Sequence, residues 1–235
     1  MKQAVLLAMV LGIPTLALPQ AVQKDVKVEI ASANEWRGSL ATDGMVVRPQ
    51  IAFKLPVGPT ITGWASLDME NRGGNEYRFT AEQGWNAVVS SGSFGITLYN
   101  RNDGRPDTTE IFATLRPFGP TGLKFAAYKD IDAVDGFYAR VSTGGSLGAG
   151  AMSARAKLSW DGWIGYSDSK FGAVYYRHNG SGPADLGGRV TMSFGLANGT
   201  LEAWAQATTL LNPDYLGMNG DRSTFTIGAS FGWQF

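Results

Sequence analysis

Apolar and polar residues alternate strictly along residues 225–235. Every odd position in this stretch is apolar, and every even position is small or polar. Because side chains alternate faces along a β-strand, the pattern predicts a strand with one apolar face and one polar face. We expect this strand to direct barrel assembly through its apolar residues, which include Phe225, Ile227, Phe231, Trp233 and Phe235.

Eleven further segments show the same alternation, which predicts twelve strands. Nearly all charged strand residues lie opposite the apolar ones, and Trp64, Phe112 and Trp204 are exceptions on the polar face. Twelve strands around an apolar interior would enclose a wide apolar cavity, since about eight strands already fill with side chains. The pattern therefore favours an all-β, antiparallel, up-and-down transmembrane barrel with a polar lumen over a soluble barrel.

The connections between these strands fall into two alternating classes, as in membrane barrels with long external loops and short periplasmic turns. The charged, external class comprises residues 37–44, 71–76, 100–107, 129–136, 161–185 and 210–222. The short, uncharged class comprises residues 56–59, 90–93, 117–120, 144–149 and 197–199. Residues 170–177 could form another strand, but a thirteenth crossing would separate the termini. We therefore assign 161–185 to one long external segment, in which 170–177 could form part of a hairpin.

The first 21 residues predict a secretory signal peptide. Lys2 precedes an apolar run at 4–13 and then mostly small residues, with cleavage expected near 17–21. Residues 22–235 would then form a single barrel in the bacterial outer membrane. Its expected partners are the membrane lipid and the barrel-assembly machinery, with other envelope proteins as further candidates.

Composition agrees with a strand-rich chain and excludes some classes of protein. The chain has 20 Lys and Arg and 20 Asp and Glu, so no basic excess favours nucleic acid. It contains 31 glycines and 17% charged residues, as expected for strands joined by tight turns. The absence of cysteine excludes disulfides and thiolate metal sites.

His178 is the only histidine, so it is the one candidate for histidine-dependent hydrolysis. An outer-membrane hydrolase would also need a carboxylate and a nucleophile, and Asp168, Ser169 and Ser181 are close in sequence. A solvated loop histidine explains the same residues. We expect no enzyme, no catalytic residue and no cofactor.

Asp130, Asp132 and Asp135 precede Gly136 in one predicted external connection. Closely spaced oxygen ligands could hold calcium, but turn formation explains Asp and Gly equally well. We assign no metal site.

The charges on the polar face carry the functional prediction. Ten bases stand against five acids, which would favour anions in a water-filled pore. The bases are Arg48, Lys54, Arg78, Arg101, Arg116, Lys124, Arg140, Arg155, Lys157 and Arg189, and the acids are Asp68, Glu70, Glu82, Glu110 and Glu202. As lumen-lining candidates we select Arg48, Arg78, Glu82, Glu110, Arg140, Arg155, Arg189 and Glu202. Pairing of these charges could instead close the lumen and leave a structural or surface-binding barrel.

Two stretches resemble a known family. Residues 33–44, ANEWRGSLATDG, resemble the aromatic-Arg-Gly-x-x-x-Thr-Asp stretch of TorF-type porins. Residues 61–68 resemble that family's Gly-x-Trp-Ala-Ser strand, and similar stretches fall at 108–113 and 135–138. The resemblance spans about residues 28–140. It implies an outer-membrane barrel that acts as a small passive pore, and it brings no catalytic residues.

Overall fold

The computed structural model describes residues 22–56, 58–70, 74–102, 104–119, 122–147 and 156–235. Fourteen strands and one helix account for most of this range. The strands are β1 (Gln23–Ala31), β2 (Asn34–Trp36), β3 (Ser39–Thr42), β4 (Val46–Lys54), β5 (Thr60–Asp68), β6 (Glu76–Asn86), β7 (Ser91–Arg101), β8 (Thr108–Arg116), β9 (Lys124–Asp130), β10 (Phe137–Leu147), β11 (Ala156–Ser167), β12 (Gly182–Leu196), β13 (Gly199–Leu210) and β14 (Ser223–Gln234). The helix is α1 (Ser169–Tyr175).

Twelve of the strands form one closed antiparallel barrel, which confirms the predicted fold. Strand β1 pairs with β4, each strand from β4 to β13 pairs with the next along the chain, and β14 pairs with β1 to close the barrel. In that closing pair, Val28 lies opposite Phe231. Strands β2 and β3 lie outside the wall as a separate two-stranded sheet.

The apolar face of the barrel points outward. In β14, Phe225 is 70% exposed and Ile227 51%, whereas Thr226 and Ser230 on the other face are buried. Exposed apolar side chains on other strands include Ile30, Ile51, Phe79, Phe94, Leu98, Ile111, Phe125, Ile164, Val190 and Leu201. An apolar surface that encircles a barrel with a polar interior is suited to lipid. In the described ranges, no helix is long and apolar enough to cross a bilayer.

The barrel has two different ends. Five connections lie at the turn end, where the backbone of Lys24 exchanges two hydrogen bonds with Phe235. The other six lie at the loop end, so the predicted alternation of connections is observed. Residues 148–155, which include part of one predicted turn and the start of the predicted ninth strand, lie outside the described residues.

The external segment predicted at 161–185 is shorter than expected. Strand β11 continues to Ser167 and β12 begins at Gly182, so only 168–181 connect them. The sequence pattern failed there because Trp163 and Gly165 interrupt the polar inward face of β11, and Gly162 interrupts its apolar outward face. Residues 169–175 form α1 and not a strand of a hairpin, and the Asp168 carboxylate accepts the Phe171 N–H at its N-terminus, 2.8 Å away.

Candidate functional site: the barrel lumen

Three segments from the loop end fold into the lumen and pack on one another. We call them the plug: residues 34–42, 168–181 and 211–222. Trp36 contacts Phe171 and Tyr175, with ring centroids 5.5 and 4.5 Å apart, and Tyr176 stacks on Tyr215 at 4.9 Å. All five of these side chains are buried. The plug therefore has its own aromatic core inside the barrel.

The hairpin of β2 and β3 turns at Arg37 and Gly38. Both residues have positive φ, 51° and 80°, as the central residues of a type I′ turn do. A Cβ on Gly38 would lie 2.7 Å from the Cβ of Asp185, so the turn also needs glycine for space. The Trp-Arg-Gly stretch, predicted to lie at an external connection, thus turns inward and places Arg37 in the lumen.

Arg37 binds the barrel wall through charge and through aromatic contacts. Its two terminal nitrogens donate to the two carboxylate oxygens of Glu110, each at 2.8 Å. Its guanidinium lies 4.3 Å from the ring centroid of Trp36 and 4.2 Å from that of Tyr128. A bidentate pair in such surroundings fixes the hairpin tip against β8.

Further hydrogen bonds hold the plug in place. The Glu35 carboxylate accepts the hydroxyls of Thr208 and Thr224, each at 2.6 Å. The Tyr176 hydroxyl donates to the Arg37 carbonyl at 2.7 Å, and so joins the α1 segment to the hairpin. The Glu35 contacts join the hairpin to β13 and β14, and the Tyr176 contact joins two segments of the plug to each other.

The outer side of α1 is tied to the β9–β10 connection by charge. Lys170 and Lys129 both donate to the Asp135 carboxylate, with Lys129 Nζ 2.5 Å from Oδ1. These hydrogen bonds lower the pKa of the exposed Asp135 carboxyl to about 2. The Asp135 carboxyl therefore stays ionised at neutral pH.

The plug closes the loop end of the lumen. Ten consecutive strands, β5 to β14, each present an inward side chain there that is at most 7% exposed. These residues are Ser66, Glu76, Tyr99, Glu110, Asp130, Tyr138, Ser167, Asp185, Thr208 and Thr224. Towards the turn end, many inward residues are half-buried or exposed, among them Ser93, Thr114 and Lys124.

Beneath the plug lies a polar cavity of about 650 Å³. Four predicted lumen residues line it: Arg78, Arg140, Arg189 and Glu202. Lys27, Glu35, Arg37 and Asp161, which were not among the candidates, line it as well.

Two further cavities lie nearer the turn end. Ser159 and Asp161 also line the larger of them, which has a volume of about 450 Å³. A third cavity of about 310 Å³, lined partly by Glu82, lies beside it.

Two of the arginines that line the cavity beneath the plug stack on indole rings of the barrel wall. The Arg78 guanidinium lies 4.2 Å from the ring centroid of Trp64, and that of Arg189 lies 4.0 Å from Trp204. A Cβ on Gly228 would lie 2.5 Å from Trp204, so a glycine on the next strand makes room for that ring. This stacking accounts for two of the aromatic exceptions on the polar face, because the rings carry guanidinium groups.

Most predicted lumen arginines are paired with carboxylates. Arg48 Nη1 lies 2.6 Å from Glu29, Arg78 Nε lies 2.8 Å from Glu76, and Arg140 Nη2 lies 3.5 Å from Asp185. Glu110, also a candidate, pairs with Arg37. Arg155 lies outside the described residues. The count of ten bases to five acids treated Lys27 and Glu29 as cancelling. It omitted the acids Glu35, Glu76, Asp161 and Asp185 and the bases Arg37 and Arg105, so the charges of the lumen are more evenly balanced than the sequence predicted.

The candidate hydrolase residues are not brought together. The His178 ring packs on Tyr215, with centroids 5.4 Å apart, while the Asp168 carboxylate caps α1. Asp130 is buried, and its carboxylate accepts the Thr108 hydroxyl and the N–H of Val134, so it shapes a turn. Among the described residues, no group of three Asp, Glu, His or Cys side chains could hold a metal ion.

Comparisons with known proteins identify solved structures that have a similar fold. No family model and no curated protein matches the chain. The NanC porin superposes with a TM-score of 0.56 at 9% identity, covering 91% of this chain and 99% of that one. The KdgM porin gives 0.51 at 11% identity, covering 89% and 98%. An outer membrane channel from Pseudomonas putida F1 gives 0.50 at 12% identity, covering 95% and 99%. The chain therefore has the fold of these outer-membrane barrels.

Proposed function

We propose that the protein is a small passive pore of the bacterial outer membrane and belongs with the TorF-type porins. The polar lumen carries this proposal: a cavity of about 650 Å³ lies in a lipid-suited barrel and adjoins further space towards the turn end. The porin-like fold supports it. The histidine-dependent hydrolase receives no support from the geometry, since His178 packs on Tyr215 and Asp168 caps α1.

The proposal includes a direction for the barrel. Short turns face the periplasm in such barrels, so the turn end is assigned to the periplasm and the plug to the outside. Residues 1–21 would direct export, and the apolar row of β14 would be read by the assembly machinery.

For the solute we propose small anions. Arg78, Arg140 and Arg189 line the cavity with roughly a quarter of each side chain exposed, so they remain accessible to a solute even though each is paired. A barrel of the same fold, the KdgM porin, has been observed in complex with disordered oligogalacturonate.

Conduction requires the plug to move, which a planar-bilayer measurement can test. Replacing both Phe171 and Tyr175 with alanine removes two rings that pack on Trp36, and so loosens the plug. We expect the purified wild-type protein to show small conductance steps and the double variant larger ones. Val174→Ala, at an exposed position of the same helix, is the control and should behave as the wild type. Silence of the wild type and of the loosened variant, across a range of voltages and salts, would refute the pore.

A structural or surface-binding barrel is the second candidate. The ring of buried inward residues at the loop end favours it, because such packing resembles a protein core. In that case the connection 168–181 would contact other envelope components, and shortening it would abolish their capture without preventing folding of the barrel.

A further inference from the structure

The two halves of the lumen differ in how their cations are paired. Each arginine lining the cavity beneath the plug has a carboxylate within 4 Å: Arg37, Arg78, Arg140 and Arg189. Towards the turn end, Lys124 and Lys157 form no ion pair with any described carboxylate. Lys124 and Lys157 therefore differ from these four arginines, each of which has a carboxylate partner.

The connections at the turn end supply no acid for these lysines. Residues 55–59, 87–90, 117–123, 148–155 and 197–198 contain no Asp or Glu. The acids that line the two turn-end cavities are Asp161 in one and Glu82 in the other. The local excess of positive charge is therefore a property of the sequence as well as of the fold.

The basic side chains lie on one side of the lumen. Arg116 on β8 and Lys124 on β9 line both turn-end cavities, and Lys157 on β11 lines the larger one. Lys124 is paired in register with Ser142 on β10, which also lines the larger cavity. We call Arg116, Lys124 and Lys157 the basic wall.

We propose that the basic wall is a binding site for small multivalent anions, which reach it from the turn end. The proposal deepens the proposed function and rests on it, because it names the solute class and assigns the selectivity to residues nearer the turn end than Arg78, Arg140 and Arg189. Lysine ammonium groups act as flexible point charges, so the site would select total charge more than shape. A cavity of about 450 Å³ is within the size range of small-ligand pockets. Carboxylates and phosphates share the required chemistry.

Calorimetric titration of the purified wild-type protein with citrate at low salt tests this site without requiring conduction. We expect citrate to bind and its affinity to fall with added salt, as screening predicts. The double substitution Lys124→Gln with Lys157→Gln should weaken binding by about tenfold or more, since it removes two charge-assisted contacts. Inorganic phosphate, the second probe, should bind to the same wall and show the same loss.

Lys24→Gln is the matched control. Lys24 is an exposed lysine at the same end, and alternation in β1 places it on the outer face. It should bind citrate as the wild type does. Lys157→Gln alone, at an exposed position of β11, should weaken binding by a smaller factor.

Absence of citrate binding to the folded wild-type protein would overturn the proposal, as would equal affinity in the double variant. The result of the citrate titration can be distinguished from the result of the conductance measurement that tests the pore. A silent bilayer with citrate binding intact would refute conduction alone, and conduction without citrate binding would refute the basic wall alone.

Discussion

At the scale of single residues, the position of Arg37 depends on Gly38. The sequence showed the Trp-Arg-Gly motif but not the direction of its turn, because an Arg-Gly turn can point into solvent as readily as into a lumen. The direction is set by partners far along the chain, Glu110 for Arg37 and Asp185 beside Gly38. Local sequence could not reveal these contacts.

Gly38→Ala should therefore destabilise the barrel. The left-handed backbone costs a residue with a side chain about 1–2 kcal/mol, and crowding against Asp185 should add about 1–3 kcal/mol. Gly104 also has positive φ, 85°, but a Cβ there would meet nothing within 4 Å. Gly104→Ala should therefore show the backbone cost alone. Equal losses in the free energy of unfolding in urea would show that Gly38 is not crowded.

At the scale of elements, alternation predicted every strand of the barrel wall, but α1 was missed. Its buried residues Phe171, Gly172 and Tyr175 are spaced as on one helix face, so a signal was present. The apolar residues of 170–177 also fit a short strand. What distinguishes the helix from the strand is the packing of Phe171 and Tyr175 on Trp36. No local pattern contains that contact.

The prediction at the scale of elements concerns the apolar, outward face of strand β14. Phe231 lies opposite Val28 in the closing pair, and its ring packs edge-on against Trp233 at 4.1 Å. Phe231→Lys should lower the stability of the membrane-inserted barrel by about 1–3 kcal/mol, because a lysine on the lipid face costs about 2–4 kcal/mol at the midplane and less towards the interface. Phe231 lies between the middle of β14 and its turn end. Gln234→Lys, at the exposed end of the strand, should cost little. Normal insertion of Phe231→Lys into liposomes would contradict the assignment of this face to lipid.

At the scale of the whole molecule, the plug closes the lumen at the loop end, and the described residues enclose two further cavities towards the turn end. The sequence predicted a polar lumen correctly, but it did not show which charged residues lie in that lumen. Glu35 and Arg37 enter the lumen on a hairpin, and Asp161 and Asp185 belong to strands longer than the pattern indicated. Assigning charges to a lumen thus requires knowing which connections fold inward.

The sidedness of the lumen can be measured with one cysteine, because the chain has none of its own. Ser159 lines both the cavity beneath the plug and the larger turn-end cavity. Ser159→Cys should react with a small membrane-impermeant thiol reagent in proteoliposomes of known orientation. We predict rapid labelling from the turn end and slow labelling from the loop end, with the loop-end rate rising when Phe171 and Tyr175 are both replaced by alanine. Equal labelling rates from both ends of the otherwise unaltered barrel would contradict a lumen closed by the plug.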